Sequence, residues 1–157
     1  MDKKTICIDF DGVIHDYSNG WQGEDVFAQM IPNADTATAL LKKKGWRVII
    51  FTTRKKTKKL EDWLSEHKIA YDFINENPDQ PEHASGKIVA DVYLDDRGIC
   101  FRGRWDEWLM RDILDFESWE EQEKKRIEAL ANFRDKDDDD IWTRGKEKRI
   151  CLSDSCC

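Results

Sequence analysis

Thr5-Ile6-Cys7-Ile8-Asp9-Phe10-Asp11-Gly12 decides the fold. Thr5 to Phe10 is a short apolar run, which fits a buried strand, and Asp11-Gly12 then signals a turn. Residues 14 to 32 are polar, include Gly20 and Gly23, and read as a loop or small flap. Asn33 is suited to cap a helix whose apolar face includes Ala37, Leu40 and Leu41, with Gly45 as its stop. Arg47 to Phe51 carries Val48-Ile49-Ile50-Phe51, a second buried strand. Leu60, Trp63 and Leu64 recur at helical spacing, so a helix is expected over 56–67. Tyr71 to Ile74 reads as a third strand. A turn-rich link with Pro78 and Pro81 covers 75–86. Ile88 to Leu94 leads into a fourth strand that ends at Asp95-Asp96. Trp105, Trp108, Leu109 and Ile113 give a further amphipathic helix.

Strands that alternate with helices, and that read as apolar runs, indicate an α/β fold with a mainly parallel sheet covered on both faces. A three-layer Rossmann-like domain is therefore expected over residues 1–116. Ligands bind at the carboxyl ends of strands in such sheets. Asp9 to Asp11, Thr52 to Arg54 and Asp95-Asp96 all fall at expected strand ends, on one edge.

The chain has 157 residues and a charged fraction of 38%, much of it after Glu117. Residues 117–157 are expected to be a charged extension, helical or disordered. Trp119, Ile127, Leu130 and Phe133 suggest one apolar helical stripe that packs on the domain or joins subunits. Asp137 to Asp140 form an acidic block without the spacing of a calcium loop. The net charge of −7 argues against a general polyanion binder. No apolar run approaches the length of a membrane span, and the N-terminal apolar run is too brief for a signal peptide. A cytoplasmic location without a membrane partner is the expectation.

Cys7, Cys100, Cys151, Cys156 and Cys157 are odd in number and irregular in spacing, which disfavours a disulfide framework. No pair has zinc spacing. Cys7 is expected to behave as a small buried apolar residue. A prenylation box would need cysteine where Asp154 stands.

The expected strand ends together offer Asp9 and Asp11, Thr52, Lys87, and Asp95 with Asp96. A carboxylate can attack phosphorus when a metal neutralises the repulsion between anions. A second carboxylate two residues on can protonate the leaving oxygen and later activate water. Further acidic groups would complete a magnesium shell, because magnesium prefers hard oxygen ligands. A lysine offsets the crowded negative charge.

Those residues resemble the four motifs of the haloacid dehalogenase superfamily. Ile8 to Val13 is similar to motif I, and Val48 to Thr52 to motif II. Lys87 fits motif III and Tyr93-Leu94-Asp95-Asp96 fits motif IV. The resemblance spans residues 5 to about 110 and implies a phosphoric monoester hydrolase that uses Mg2+. It implies Asp9 as the nucleophile that forms an aspartyl-phosphate. Asp11 would be general acid and base, with its backbone carbonyl on the metal. Thr52 would hydrogen-bond the transferring phosphoryl group, a role that Thr53 could share. Lys87 would steady the phosphoryl oxygens. Asp96, supported by Asp95, would complete the metal ligands.

The resemblance also says where cap domains insert. Residues 12–33 and 75–86 are both too short to hold one, so a capless form with an open site is expected. Such a site could take a bulky substrate or be covered by a partner subunit in a homo-oligomer.

Thr52-Thr53-Arg54-Lys55-Lys56-Thr57-Lys58-Lys59 begins at the site and runs into a helix start. It reads either as a solvated face or as a patch that draws in a phosphorylated substrate, with Arg54 as the direct phosphate contact. Arg97 could brace its loop by ion pairing. His15 and Asp16 read as flap residues, and His67 and His83 as surface residues. Asp95-Asp96-Arg97 and Thr52-Thr53-Arg54 resemble small capless bacterial and phage proteins of the superfamily, and the phosphatase domain of polynucleotide kinase-phosphatases. A nucleotide or another small phosphate monoester is the expected substrate. A nucleic acid 3′-phosphate end is the alternative, and a non-enzymatic binding module with a working tail is the alternative of a different class.

Overall fold

The computed structural model describes residues 3–84, 86–101 and 103–131. The chain separates into two units, Met1–Phe116 and Glu117–Cys157. The first contains β1 (Thr5–Asp9), α1 (Ala34–Lys43), β2 (Arg47–Phe51), α2 (Lys58–Glu66), β3 (Phe73–Ile74), β4 (Val92–Leu94) and α3 (Glu107–Leu114). Its four strands form one parallel sheet in the order β3-β2-β1-β4. The fold is a small Rossmann-like α/β fold.

Strand order explains where a site can form. The chain steps outward from β1 to β2 to β3, then returns to add β4 on the other side of β1. A crevice opens at such a reversal, outside the carboxyl ends of the two strands that flank it. The register pairs Ile8 with Leu94 and Asp9 with Phe51. The carboxyl ends of β1 and β4 therefore bring Asp9 and Asp95-Asp96 to the reversal point.

The larger core lies on one face of the sheet. Ile6, Ile8, Val48, Ile50 and Ile74 point into it, alternate residues of their strands, as the two-residue period of a strand requires. Leu60, Trp63 and Leu64 of α2 fill it, with Ala34 and Leu41 of α1 packed against it. A smaller cluster on the opposite face joins Cys7 and Ile49 to Ile88. Burial pushes the Cys7 thiol up to about 11, so it is an inert apolar filler.

Several local expectations give way to tertiary context. Asn33 precedes α1 with a left-handed backbone (φ 70°) and makes no side-chain cap. Ala37 and Leu40 are exposed, and the face of α1 turned inward is Ala34, Thr38 and Leu41. Thr38 is a polar pin: its hydroxyl donates to the Ala34 carbonyl (2.8 Å) and accepts from the Ala70 N–H (3.1 Å). That bond ties α1 to the segment entering β3. Thr57 caps α2 instead, accepting from the Leu60 N–H at 3.2 Å.

β3 and β4 are shorter than the apolar runs suggest because side chains replace ladder bonds. The Asp72 carboxylate accepts the Val48 N–H (2.8 Å) and pairs with Lys42 just before β3. Gln80 bonds both the Lys87 carbonyl and the Val89 N–H ahead of β4. Val92, Tyr93 and Leu94 are exposed on this edge strand. In α3 only Leu109 is buried, while Trp105 and Trp108 are exposed rather than part of a packed stripe.

The second unit has a helix over residues 119–131. Ser118 and Glu121 bond each other's backbone N–H reciprocally, a capping box that starts it. Within this unit Trp119, Ile127 and Leu130 are exposed, and Phe133 and the acidic block lie outside the described residues. Among the described residues no helix is long and apolar enough to cross a membrane.

Thr38→Val should destabilise the protein by about 1–2 kcal/mol, because it strips the Ala70 N–H of its acceptor while keeping the side chain's shape. Urea unfolding measures this, and an unchanged midpoint would remove Thr38 as the pin.

Candidate metal and active site

Asp9, Asp95 and Asp96 converge at the reversal point. Each offers a carboxylate oxygen within 4.8 Å of the others. Asp9 ends β1, and the other two follow β4 directly. Asp95 is exposed, and one of its oxygens accepts the Arg97 N–H (2.7 Å), which closes a tight turn. That turn sends Asp96 inward.

Asp96 is the anomaly of the structure. Its side chain is only 2% exposed, and neither carboxylate oxygen has a hydrogen-bond partner. Its nearest cation is the Arg97 guanidinium at 3.6 Å, on a side chain that is largely exposed. A buried carboxylate without hydrogen bonds is costly, and native proteins satisfy such groups or give them to a metal. Gly12 makes room for it. A Cβ on Gly12 would lie 2.7 Å from Asp96 Oδ2, and its φ of +86° also favours glycine.

Mutual repulsion appears in the acidities. Asp9 is pushed up to about 7, chiefly by burial, with the charges of Asp95, Asp96 and Asp11 adding to the rise and a backbone bond from Phe10 opposing it. Burial likewise raises Asp96 above the ordinary carboxylate range, with Arg97 opposing and Asp95 adding to the shift. The residues fit a divalent cation: three hard oxygen donors, one of them buried and otherwise unsatisfied.

Asp11 has the opposite environment. Burial works to raise it, but a hydrogen bond from His15 and the Arg54 guanidinium outweigh that and hold it below its usual value. Arg54 Nε donates to Asp11 Oδ2 and Nη2 to Oδ1, each at 2.9 Å. The His15 Nε2 accepts the Ala28 N–H, which leaves Nδ1 to carry the proton and donate to Asp11 Oδ1 at 2.9 Å. Asp11 is thus a fixed carboxylate held by two buried donors.

Arg54 was expected to meet a phosphate. Its side chain is instead 1% exposed, and its remaining donor, Nη1, bonds the Gly23 and Glu24 carbonyls at 3.0 and 2.8 Å. The guanidinium therefore faces Asp11 and the loop before α1. The lysines that follow it also have acidic neighbours: Lys55 with Glu24, Lys56 with Glu76, Lys58 with Asp62 and Lys59 with Asp25. Exposed pairs of this kind read as a solvated, charge-balanced face.

The remaining residues divide between two clefts that share Asp9 and Asp95. One, of about 320 Å³, also reaches Asp11, Thr53 and Arg97, and is walled by Tyr17 and Trp21. The other contains Lys87, whose ammonium lies 4.3 Å from the centroid of the Tyr93 ring. Thr52 stands at the end of β2, where its hydroxyl accepts the Arg54 N–H at 3.1 Å. Asn75 brackets it, accepting the Thr52 N–H (2.8 Å) and donating to the Thr52 carbonyl (2.7 Å).

Sequence reasoning passed over His15, Asn75 and Trp21. His15 was read as a flap residue, yet it is 3% exposed and stacks on Phe10, with ring centroids 5.1 Å apart. Phe27 and Trp63 close edge-on against that pair. This aromatic cluster anchors the loop of residues 12–33 beneath the site. Its signal was the four-residue spacing from Asp11 to His15, which carries meaning only when the loop curls back, as the His15–Met30 bridge makes it do.

No family model matches the sequence, and no curated protein matches it. The fold is similar to the solved structure of a conserved protein from Bacteroides thetaiotaomicron. The two share 23% identity over 76% of this chain and 97% of the other, with a TM-score of 0.51.

Asp9 predicts a pH dependence of stability. The unfolded chain releases its proton near 3.8, whereas the folded, metal-free protein keeps it to about 7. A raised folded value means that stability is fully present below the lower limit and is lost as pH rises to the upper one. The depressed carboxylates, Asp11 and Asp72, act with opposite sign and below that window. In chelator, unfolding free energy should fall by about 2 kcal/mol between pH 4 and pH 7, after solvent screening is allowed for. Asp9→Asn should lessen the fall, to which the raised Asp96 also contributes, and a divalent cation should raise the melting temperature more at pH 8 than at pH 5. Thermal melts across this range would contradict the account if stability in chelator rose throughout.

Proposed function

We propose that this protein is a magnesium-dependent phosphohydrolase that acts on phosphate monoesters through an aspartyl-phosphate on Asp9. The observation that carries the reading is the buried Asp96 carboxylate, with neither oxygen hydrogen-bonded, in a cluster with Asp9 and Asp95. A crowd of carboxylates binds no anionic substrate without a cation to offset it, and hard oxygen ligands suit magnesium. Asp9, Asp95 and Asp96 would hold the ion, with the Asp11 backbone carbonyl as a further ligand. When bound, it supplies charge neutralisation that lets an anionic nucleophile approach an anionic phosphoryl group.

The steps belong to the chain's own residues. An Asp9 oxygen attacks phosphorus, the bond from phosphorus to the ester oxygen breaks, and that oxygen leaves as an alcohol with a proton taken from solvent, to which Asp11 returns one after the second step. Water then attacks the acyl phosphate, which releases inorganic phosphate and restores Asp9. Asp11 is the base for this second step. Arg54 and His15 hold it in the ionised, oriented form that accepts a proton from water. The same two donors oppose protonation of Asp11 in either step, so they keep it ionised and oriented without making it a stronger base. Lys87 and Thr53 lie on the two clefts that meet at Asp9, where each can contact phosphoryl oxygens.

The polynucleotide alternative gains little from the lysine run, because Lys55, Lys56, Lys58 and Lys59 each have a carboxylate neighbour. A screen over phosphate monoesters with Mg2+ should find turnover that chelator abolishes. Asp9→Asn should lower kcat by at least about 10³-fold, as loss of a covalent nucleophile does, while the far-ultraviolet circular dichroism stays unchanged. Near-normal activity in Asp9→Asn would rule out the aspartyl-phosphate route.

A further inference from the structure

Tyr17 and Trp21 lie on the loop between β1 and α1, and both line the cleft that reaches Asp9 and Asp95. Trp21 is 53% exposed. Single exposed apolar residues are ordinary, but this ring is held in place. The Arg54 guanidinium lies 4.6 Å from its centroid, and Arg54 is itself locked by Asp11 and by the Gly23 and Glu24 carbonyls. The loop is also tied at its base. Asp16 donates to the Gln29 carbonyl and Ile31 to the Ile14 carbonyl, while the Gly20 N–H closes a turn onto Tyr17. Arg97 adds an exposed cation to the same cleft. The cleft thus combines an oriented indole, a phenol, a cation and the carboxylate cluster.

We infer that Trp21, with Tyr17, is a stacking wall for the leaving group, and that the substrate class is a phosphate monoester bearing a flat aromatic group, namely a nucleoside monophosphate. The inference rests on the phosphatase reading and adds the part of the substrate remote from the reacting phosphorus. An aromatic wall accepts any base, because every base has a π-face. A mononucleotide fits better than a strand, because Lys55, Lys56, Lys58 and Lys59, the run that follows Arg54, each have a carboxylate neighbour and give no open cationic track for successive phosphates.

The test compares adenosine 5′-monophosphate with ribose 5-phosphate, which carries the same phosphate ester without the base. Wild type should prefer the nucleotide in kcat/KM. Trp21→Ala should cut that preference on the order of ten-fold, mainly through KM. Trp21→Phe should restore most of it, whereas Trp21→Leu, which keeps apolar bulk without a π-face, should not. Because any loosening of Arg54 and Asp11 affects both esters alike, the ratio isolates stacking. An unchanged ratio in Trp21→Ala and Trp21→Leu, or no preference in wild type, would overturn the inference. If neither ester is hydrolysed, the phosphatase reading fails, and stacking is then read from calorimetric affinities for the same two compounds in Mg2+. There, tighter nucleotide binding that Trp21→Ala removes supports the wall, and equal affinities overturn it.

Discussion

Three carboxylates within 4.8 Å of one another repel, and one of them, Asp96, is buried with neither oxygen hydrogen-bonded. This constraint organises the site. Glycine at position 12 leaves the space that Asp96 fills, and the Asp95–Arg97 turn directs it there. The reversal of strand order between β1 and β4 brings the three groups together from distant parts of the chain. A divalent cation relieves the repulsion and satisfies the orphaned oxygens at once.

Asp11 lies two residues from Asp9, yet the two carboxylates are held in opposite states. Burial and like charges push Asp9 up to about 7, while His15 and Arg54 hold Asp11 down. The pair could therefore divide labour as nucleophile and base. The division depends on packing around the loop that follows the pair. Phe10, His15, Phe27 and Trp63 form the aromatic cluster that curls the loop of residues 12–33 under the site, and the Trp63 indole N–H bonds the Ala28 carbonyl at 3.2 Å. That curl sets the His15 tautomer and brings the Gly23 and Glu24 carbonyls to Arg54.

Much of the fold was legible because a buried parallel strand is a short apolar run and a helix repeats near every third or fourth residue. Val48 to Phe51 and the Leu60, Trp63, Leu64 spacing carried those signals plainly. The parts that were not legible depend on partners far away in sequence. Thr38 faces inward because Ala70 needs its oxygen, and β3 is short because Asp72 takes over the Val48 N–H. The carboxylates at the strand ends were visible as a pattern, and the sheet does assemble Asp9, Asp95 and Asp96. Arg54 was not legible. A basic run beside an acidic motif gives no sign of which cation turns inward, and here the loop carbonyls select Arg54 for Asp11.

The account rests on a cation held by Asp9, Asp95 and Asp96, and crystals grown with Mn2+ in place of Mg2+ test that most directly. Anomalous scattering should reveal one ion bonded to carboxylate oxygens of these residues, with Asp96 Oδ1 or Oδ2 among its ligands at about 2.1–2.2 Å, close to the distances of a small hard cation. Absence of a peak there at saturating Mn2+, or an Asp96 carboxylate hydrogen-bonded to protein groups instead, would contradict it.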